Sequence, residues 1–170
     1  MNLKKYIRNI PDFPKKGIIF RDITPLLKNP EAFRFAILKL SEYFKTKKID
    51  KIVSIEARGF IIGSCLAYEL GCGFVPVRKK GKLPYKTISI EYDLEYGKDV
   101  LEIHEDAIKE KDKVVIIDDV LATGGTASAV TKLIEKCGGE VVGLGFLIEL
   151  TYLNPREKLK GYDIFSLIQY

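Results

Sequence analysis

Residues 114–126 read VVIIDDVLATGGT. Val114, Val115, Ile116 and Ile117 have the composition of a strand buried on both faces. Asp118 and Asp119 follow, where such a strand must emerge from its sheet. Ala122, Thr123, Gly124, Gly125 and Thr126 come next, and then a helix: Ala127, Val130, Leu133, Ile134 and Cys137 share one face until Gly138-Gly139 stops it. The order of these pieces describes a cup for an anion. Glycines let backbone N–H groups converge on the ligand without a Cβ in the way. The helix start adds free N–H groups and a partial positive charge. Ionised carboxylates just upstream accept hydrogen bonds from hydroxyls. The ligand expected here carries a sugar diol at one end and a phosphate at the other. Taken singly, the same residues read as a threonine cap, a tight turn and surface charge. Neither nearby rival fits: no lysine follows the glycines as in a P-loop, and G-x-G-x-x-G is absent.

Outward from this stretch, strands and helices alternate. A helix is predicted over residues 30–47, with Pro30 at its first position, Asn29 as cap, and Phe33, Ile37, Leu40 and Phe44 on one face. Lys51–Ile55 reads as a buried strand, residues 60–70 as a helix closed by Gly71, and residues 73–77 as a short strand. Residues 78–98 are mixed and polar. They contain a β-prone stretch at 87–92 that pairs back with residues 100–103 as a hairpin. Residues 113–118, 140–148 and 163–168 supply further strands. The alternation predicts an α/β fold with a largely parallel central sheet flanked by helices, whose ligands bind beyond the carboxyl ends of the strands. Residues 1–170 read as a single domain, with a small N-terminal hood over about 1–28 and a flexible loop over about 78–98.

A second strand runs into a charged turn at KIVSIEARG, residues 51–59. Arg58 is a two-pronged donor suited to phosphate oxygens, and Gly59 permits close approach. The bland alternative is an ordinary turn with a solvated arginine. RKKGKLP, residues 78–84, is basic and lacks apolar periodicity. It reads as a solvated loop, or, beside an anion site, as a flap that neutralises charge and excludes water. In GIIFRDITP, residues 17–25, Phe20 is an apolar anchor and Asp22 or Thr24 caps a turn.

VVIIDDVLATGGT resembles the signature of type I phosphoribosyltransferases, which bind phosphoribosyl pyrophosphate (PRPP). The resemblance implies that Asp118 and Asp119 hold the ribose hydroxyls and that Ala122, Thr123, Gly124, Gly125 and Thr126 hold the 5′-phosphate. EARGF is similar to the adenine-specific branch, in which Glu56, Ala57, Arg58 and Gly59 cradle pyrophosphate. FRDITPLL resembles the hood of that branch. By that likeness Phe20 stacks on adenine, backbone atoms of Ile19 and Arg21 read its edge, and Val120 closes the opposite face. The flap's basic residues match Arg78, Lys79 and Lys82, and its IEY segment matches Ile90, Glu91 and Tyr92, with Glu91 the candidate for proton handling or for stabilising the cationic centre. Ser54 and Pro155 stand where relatives often have glycine. The expected activity is transfer of a phosphoribosyl group from PRPP to adenine, giving AMP and pyrophosphate. Mg²⁺ arrives on PRPP rather than in a protein cage, and a homodimer is the working form. A phosphoribosyltransferase for xanthine, hypoxanthine or orotate is an alternative, as is a non-catalytic PRPP-sensing regulator.

Composition narrows the partners. Of 170 residues, 46% are hydrophobic and 30% charged, as in a soluble globular chain. No apolar run approaches the ~20 residues of a membrane span, and no secretory signal opens the chain, so the cytoplasm is the expected address. The net charge of +5 favours anionic partners. These could be nucleic acid or phosphorylated small molecules; the chain has no arginine-rich tail and no zinc finger, but charge alone does not choose between the two. Cys65, Cys72 and Cys137 match no metal-binding spacing and read as core filler. His104, the one histidine, reads as a strand or surface residue.

Overall fold

The computed structural model describes residues 1–94 and 97–170. In chain order the elements are β1 (Arg8–Pro11), β2 (Ile19–Asp22), α1 (Thr24–Lys28), α2 (Pro30–Phe44), β3 (Lys51–Ile55), α3 (Arg58–Leu70), β4 (Gly73–Lys79), β5 (Thr87–Asp93), β6 (Lys98–His104), β7 (Lys113–Leu121), α4 (Gly125–Lys136), β8 (Glu140–Glu149) and β9 (Ile164–Gln169). Short 3-10 turns lie at Leu3–Tyr6, Thr151–Leu153 and Pro155–Leu159. A seven-stranded sheet runs β5-β6-β4-β3-β7-β8-β9. The five strands from β4 to β9 are parallel, and β6 and β5 extend them antiparallel. β1 and β2 form a separate antiparallel hairpin.

The central strands are apolar on both faces because both are covered. Ile52, Val115 and Ile117 pack with Ile37, Leu40 and Phe44 of α2 and with Ile62 and Leu66 of α3. Their chain neighbours Val53, Val114 and Ile116 face the other way, onto Val130, Leu133 and Ile134 of α4 and Leu101 and Ile103 of β6. α2 starts as its sequence dictates: Asn29 Oδ1 accepts from the Ala32 N–H at 2.9 Å, with Pro30 at the first helical position. α3 ends at Gly71, whose φ of +68° is open to glycine. Ser54 is matched to the glycine facing it: a Cβ on Gly63 would sit 1.8 Å from Ser54 Oγ. The hydroxyl fills space that Gly63 leaves.

Three expectations need correction. β7 runs on to Leu121, so Asp118 and Asp119 lie inside a paired strand rather than beyond it; Asp118 aligns with Phe146 and Val120 with Ile148 of β8. The helices shift at their ends: α2 stops at Phe44, and α3 begins at Arg58. Residues 78 and 79 continue β4, where they align with Glu102 and Leu101 of β6. Much of the segment expected as a flexible loop is therefore sheet. Ile88, Ile90 and Tyr92 alternate onto the core, which gives β5 a buried face. The part of that segment at 95–96 lies outside the described residues.

Candidate active site

The crevice follows from strand length. β3 pairs with β7 only up to Ser54–Ile117, while β7 continues along β8 as far as Leu121 and Glu149. Past Ile117 one side of β7 is uncovered. A cavity of about 420 Å³ opens there. Asp118, Asp119 and Val120 line it from β7, and Ala122 and Thr126 from the glycine turn. Ile55, Glu56, Ala57 and Arg58 approach from the end of β3, and Ile18, Ile19, Phe20 and Arg21 from the hairpin.

Gly59 is required by the aspartates. A Cβ there would lie 2.7 Å from Asp118 Oδ1 and 3.3 Å from the Ile117 carbonyl. The bare α-carbon lets the start of α3 press against β7, bringing the two loops onto one crevice. Burial, followed by the neighbouring charge of Asp119, pushes the Asp118 carboxyl well above the usual range. Asp119 is also raised by burial, against the pull of Arg58. Arg58 Nε lies 2.7 Å from Asp119 Oδ2, and its guanidinium sits 5.0 Å from the centre of the Phe20 ring. The arginine expected to hold phosphate thus bridges the acidic pair and the aromatic anchor.

Glu56 has a different role from the one its motif suggests. Its buried carboxylate accepts from Arg78 Nε at 2.8 Å and from the Lys79 N–H at 3.1 Å, and Lys82 Nζ lies at 3.2 Å. Burial raises its pKa, but these bonds outweigh it and hold the group below the usual range. Glu56 therefore anchors the basic segment. Lys79 reaches the cavity wall and pairs with Asp99 at 3.0 Å, whereas Arg78 and Lys82 gather at Glu56 off the wall.

At the hairpin, Phe20 meets Phe13 edge-on at 5.3 Å. The Arg21 side chain turns away: its guanidinium lies 3.7 Å from the centre of the Tyr170 ring and donates to Asn9. That leaves Ile19, Phe20 and the Arg21 backbone toward the crevice. Asp22 fixes the exit, accepting from the Thr24 N–H at 2.9 Å and its hydroxyl at 2.8 Å. The backbone bond from Thr24 is the chief reason its pKa is lowered.

The phosphate turn is shaped at Gly124, whose φ is +79°. A Cβ there would strike the Pro155 carbonyl oxygen at 2.5 Å. Gly125 opens α4, whose first N–H groups have no intrahelical acceptor. Gly59, Thr123, Gly124 and Gly125 shape the loops without lining the cavity. Glu91 is not brought to it. β5 alternates, so Tyr92 faces the cavity while the Glu91 carboxylate points away and meets Lys98 Nζ at 2.6 Å. Sequence reasoning missed Ile18, Ile55, Leu101 and Leu150 on the wall. All four are apolar residues of ordinary type, without a local signal. Among the described residues no group of three His, Cys, Asp or Glu side chains is placed to hold a metal.

Comparison with known proteins agrees with this geometry. The model of the phosphoribosyl transferase domain family matches residues 22–167. An adenine phosphoribosyltransferase of Thermotoga sp. (strain RQ2) is 62% identical over 170 residues, covering the whole of both chains. The crystal structure of the adenine phosphoribosyltransferase from Thermoanaerobacter pseudethanolicus superimposes with a TM-score of 0.96 at 58% identity, covering 99% of this chain and 98% of that one. The enzyme from Saccharomyces cerevisiae, solved with an imino-altritol bisphosphate and adenine, gives 0.91 at 43% identity, covering 97% and 96%. This chain belongs to the phosphoribosyltransferase family, in its adenine phosphoribosyltransferase branch.

Proposed function

We propose that this chain transfers the 5-phosphoribosyl group of PRPP to adenine, releasing pyrophosphate and forming AMP for purine salvage. The observation that carries the reading is the single crevice at the end of β7. An acidic pair, a glycine-rich helix start and an aromatic ring converge on it.

Asp118 and Asp119 accept from the ribose hydroxyls. The turn of Ala122, Thr123, Gly124, Gly125 and Thr126 takes the 5′-phosphate on its N–H groups. Glu56, Ala57, Arg58 and Gly59 form the pyrophosphate side. There Arg58 exchanges the Asp119 carboxylate for phosphate oxygens, and Arg78, Lys79 and Lys82 supply further positive charge to the leaving group. Adenine stacks on Phe20, with Val120 opposite and backbone groups of Ile19 and Arg21 at its edge. Stacking accepts any base. Rejection of 6-oxo purines therefore falls to the backbone donors and acceptors of the hairpin. No covalent nucleophile is needed, since holding both reactants in line and offsetting charge lowers the barrier.

Mg²⁺ would be carried on PRPP oxygens and offset the diphosphate charge. Asp118 and Asp119, oxygen donors on the wall, suit its water shell. No helix among the described residues is long and apolar enough to cross a membrane. Action in the cytoplasm, as a homodimer and without nucleic acid, completes the reading on the strength of the family likeness.

The test is to incubate purified protein with PRPP, Mg²⁺ and, separately, adenine, hypoxanthine, xanthine and orotate. AMP and pyrophosphate are expected from adenine alone. Equal turnover of a 6-oxo purine would overturn the base assignment. No turnover of any base, with PRPP still bound, would favour the sensing regulator.

A further inference from the structure

The turn Pro155–Leu159 is fixed against the phosphate cup at three points. The Pro155 carbonyl occupies the place where a Gly124 Cβ would be. Leu159 is buried in the core among the residues beneath α4. Arg156 grips the buried carboxylate of Glu149 with two bonds, Nε to Oε1 at 2.7 Å and Nη2 to Oε2 at 2.8 Å. Lys158, in the same turn just before Leu159, is exposed. Its ammonium lies 3.9 Å from where a Cβ on Gly125 would stand. Gly125 is the first residue of α4.

That position is electrostatically unfavourable for a cation in the ligand-free protein. The start of a helix is its positive end, and cations are favoured at the opposite end. Among the described residues no ion pair involves Lys158, and the adjacent Glu157 pairs instead with Lys160 at 2.7 Å. The other polar atoms at the same point are the Thr123 hydroxyl at 3.7 Å and the Asp93 backbone carbonyl at 3.8 Å, and neither carries a full charge. A cation held beside a helix start is stabilised when an anion lies between them.

We infer that Lys158 is a further phosphate-binding residue, closing the outer side of the cup around the 5′-phosphate. The Glu149–Arg156 pair positions the turn that carries it. This rests on the proposed reading of the cup, and it predicts which part of the ligand Lys158 senses. Its charge acts on the 5′-phosphate and not on the nucleoside or on pyrophosphate.

The experiment compares binding of AMP, adenosine and pyrophosphate to the wild type, Lys158→Ala and Lys158→Arg, by calorimetry at low salt. Lys158→Ala is expected to weaken AMP about tenfold, as for loss of one charge-assisted bond. Adenosine and pyrophosphate affinity should stay unchanged, and Lys158→Arg should recover most of the loss. AMP affinity unaffected by Lys158→Ala would overturn the inference, as would parallel weakening of AMP and adenosine. Wild-type protein that binds AMP no better than adenosine would instead bring down the reading of the cup itself. A thermal melt of each variant checks that the fold is retained.

Discussion

Asp118 shows how a binding residue can oppose the stability of its own fold. Its carboxyl is raised by burial and by Asp119. A group whose folded pKa exceeds its unfolded one stabilises the fold below the unfolded pKa, and that contribution is lost as pH rises through the folded pKa. At neutral pH the ligand-free protein therefore carries a penalty for ionising this site. Asp118→Asn is expected to raise the melting temperature of the ligand-free protein at neutral pH. The advantage should shrink toward about pH 4, where the free carboxyl protonates too. The same variant should bind PRPP more weakly. Melts across a pH series, with and without PRPP, check both. Glu91 makes the opposite point: a residue matching the family segment is held off the cavity by strand alternation and by Lys98. Turnover by Glu91→Gln should stay within a few-fold of wild type.

At the scale of elements, the basic segment after β4 is organised by one carboxylate at the end of β3. Glu56 collects Arg78, Lys82 and the Lys79 N–H. Its pKa is lowered in the fold, so the stability it contributes is present above its ordinary pKa and lost as pH falls through the folded value. Arg78 is partly exposed and Lys82 exposed, and solvent screening reduces what these pairs contribute. Glu56→Gln is expected to cost about 1 kcal/mol at neutral pH. It should also raise KM for PRPP while leaving KM for adenine unchanged, because the freed cations no longer start from one place. Denaturant titration and steady-state kinetics read the two effects separately.

For the whole molecule, α2 braces the sheet at a distance from the chemistry. Phe44 is fully buried, and its ring occupies the space that a Cβ on Gly143 or Gly145 would enter, 2.9 and 2.7 Å away. Two glycines in β8 thus make room for one aromatic ring. Phe44→Ala should destabilise by about 3–5 kcal/mol, measured by denaturant unfolding, while KM for PRPP of the folded protein stays as in wild type. The sequence by itself determined the alternating α/β order, the caps at Asn29 and Gly71, and the two strand ends that carry the chemistry. These are local: periodicity, glycine and capping act within one or two turns of chain. Resemblance supplied the ligand and the roles of the motifs, but not their geometry. That β7 outruns β3, that Glu56 faces its own basic segment, that Arg58 bridges Asp119 and Phe20, and that Lys158 comes to Gly125 were decided by tertiary structure alone. Each depends on which strands lie side by side and how far each extends, and residues so far apart in the chain meet only once the sheet is assembled.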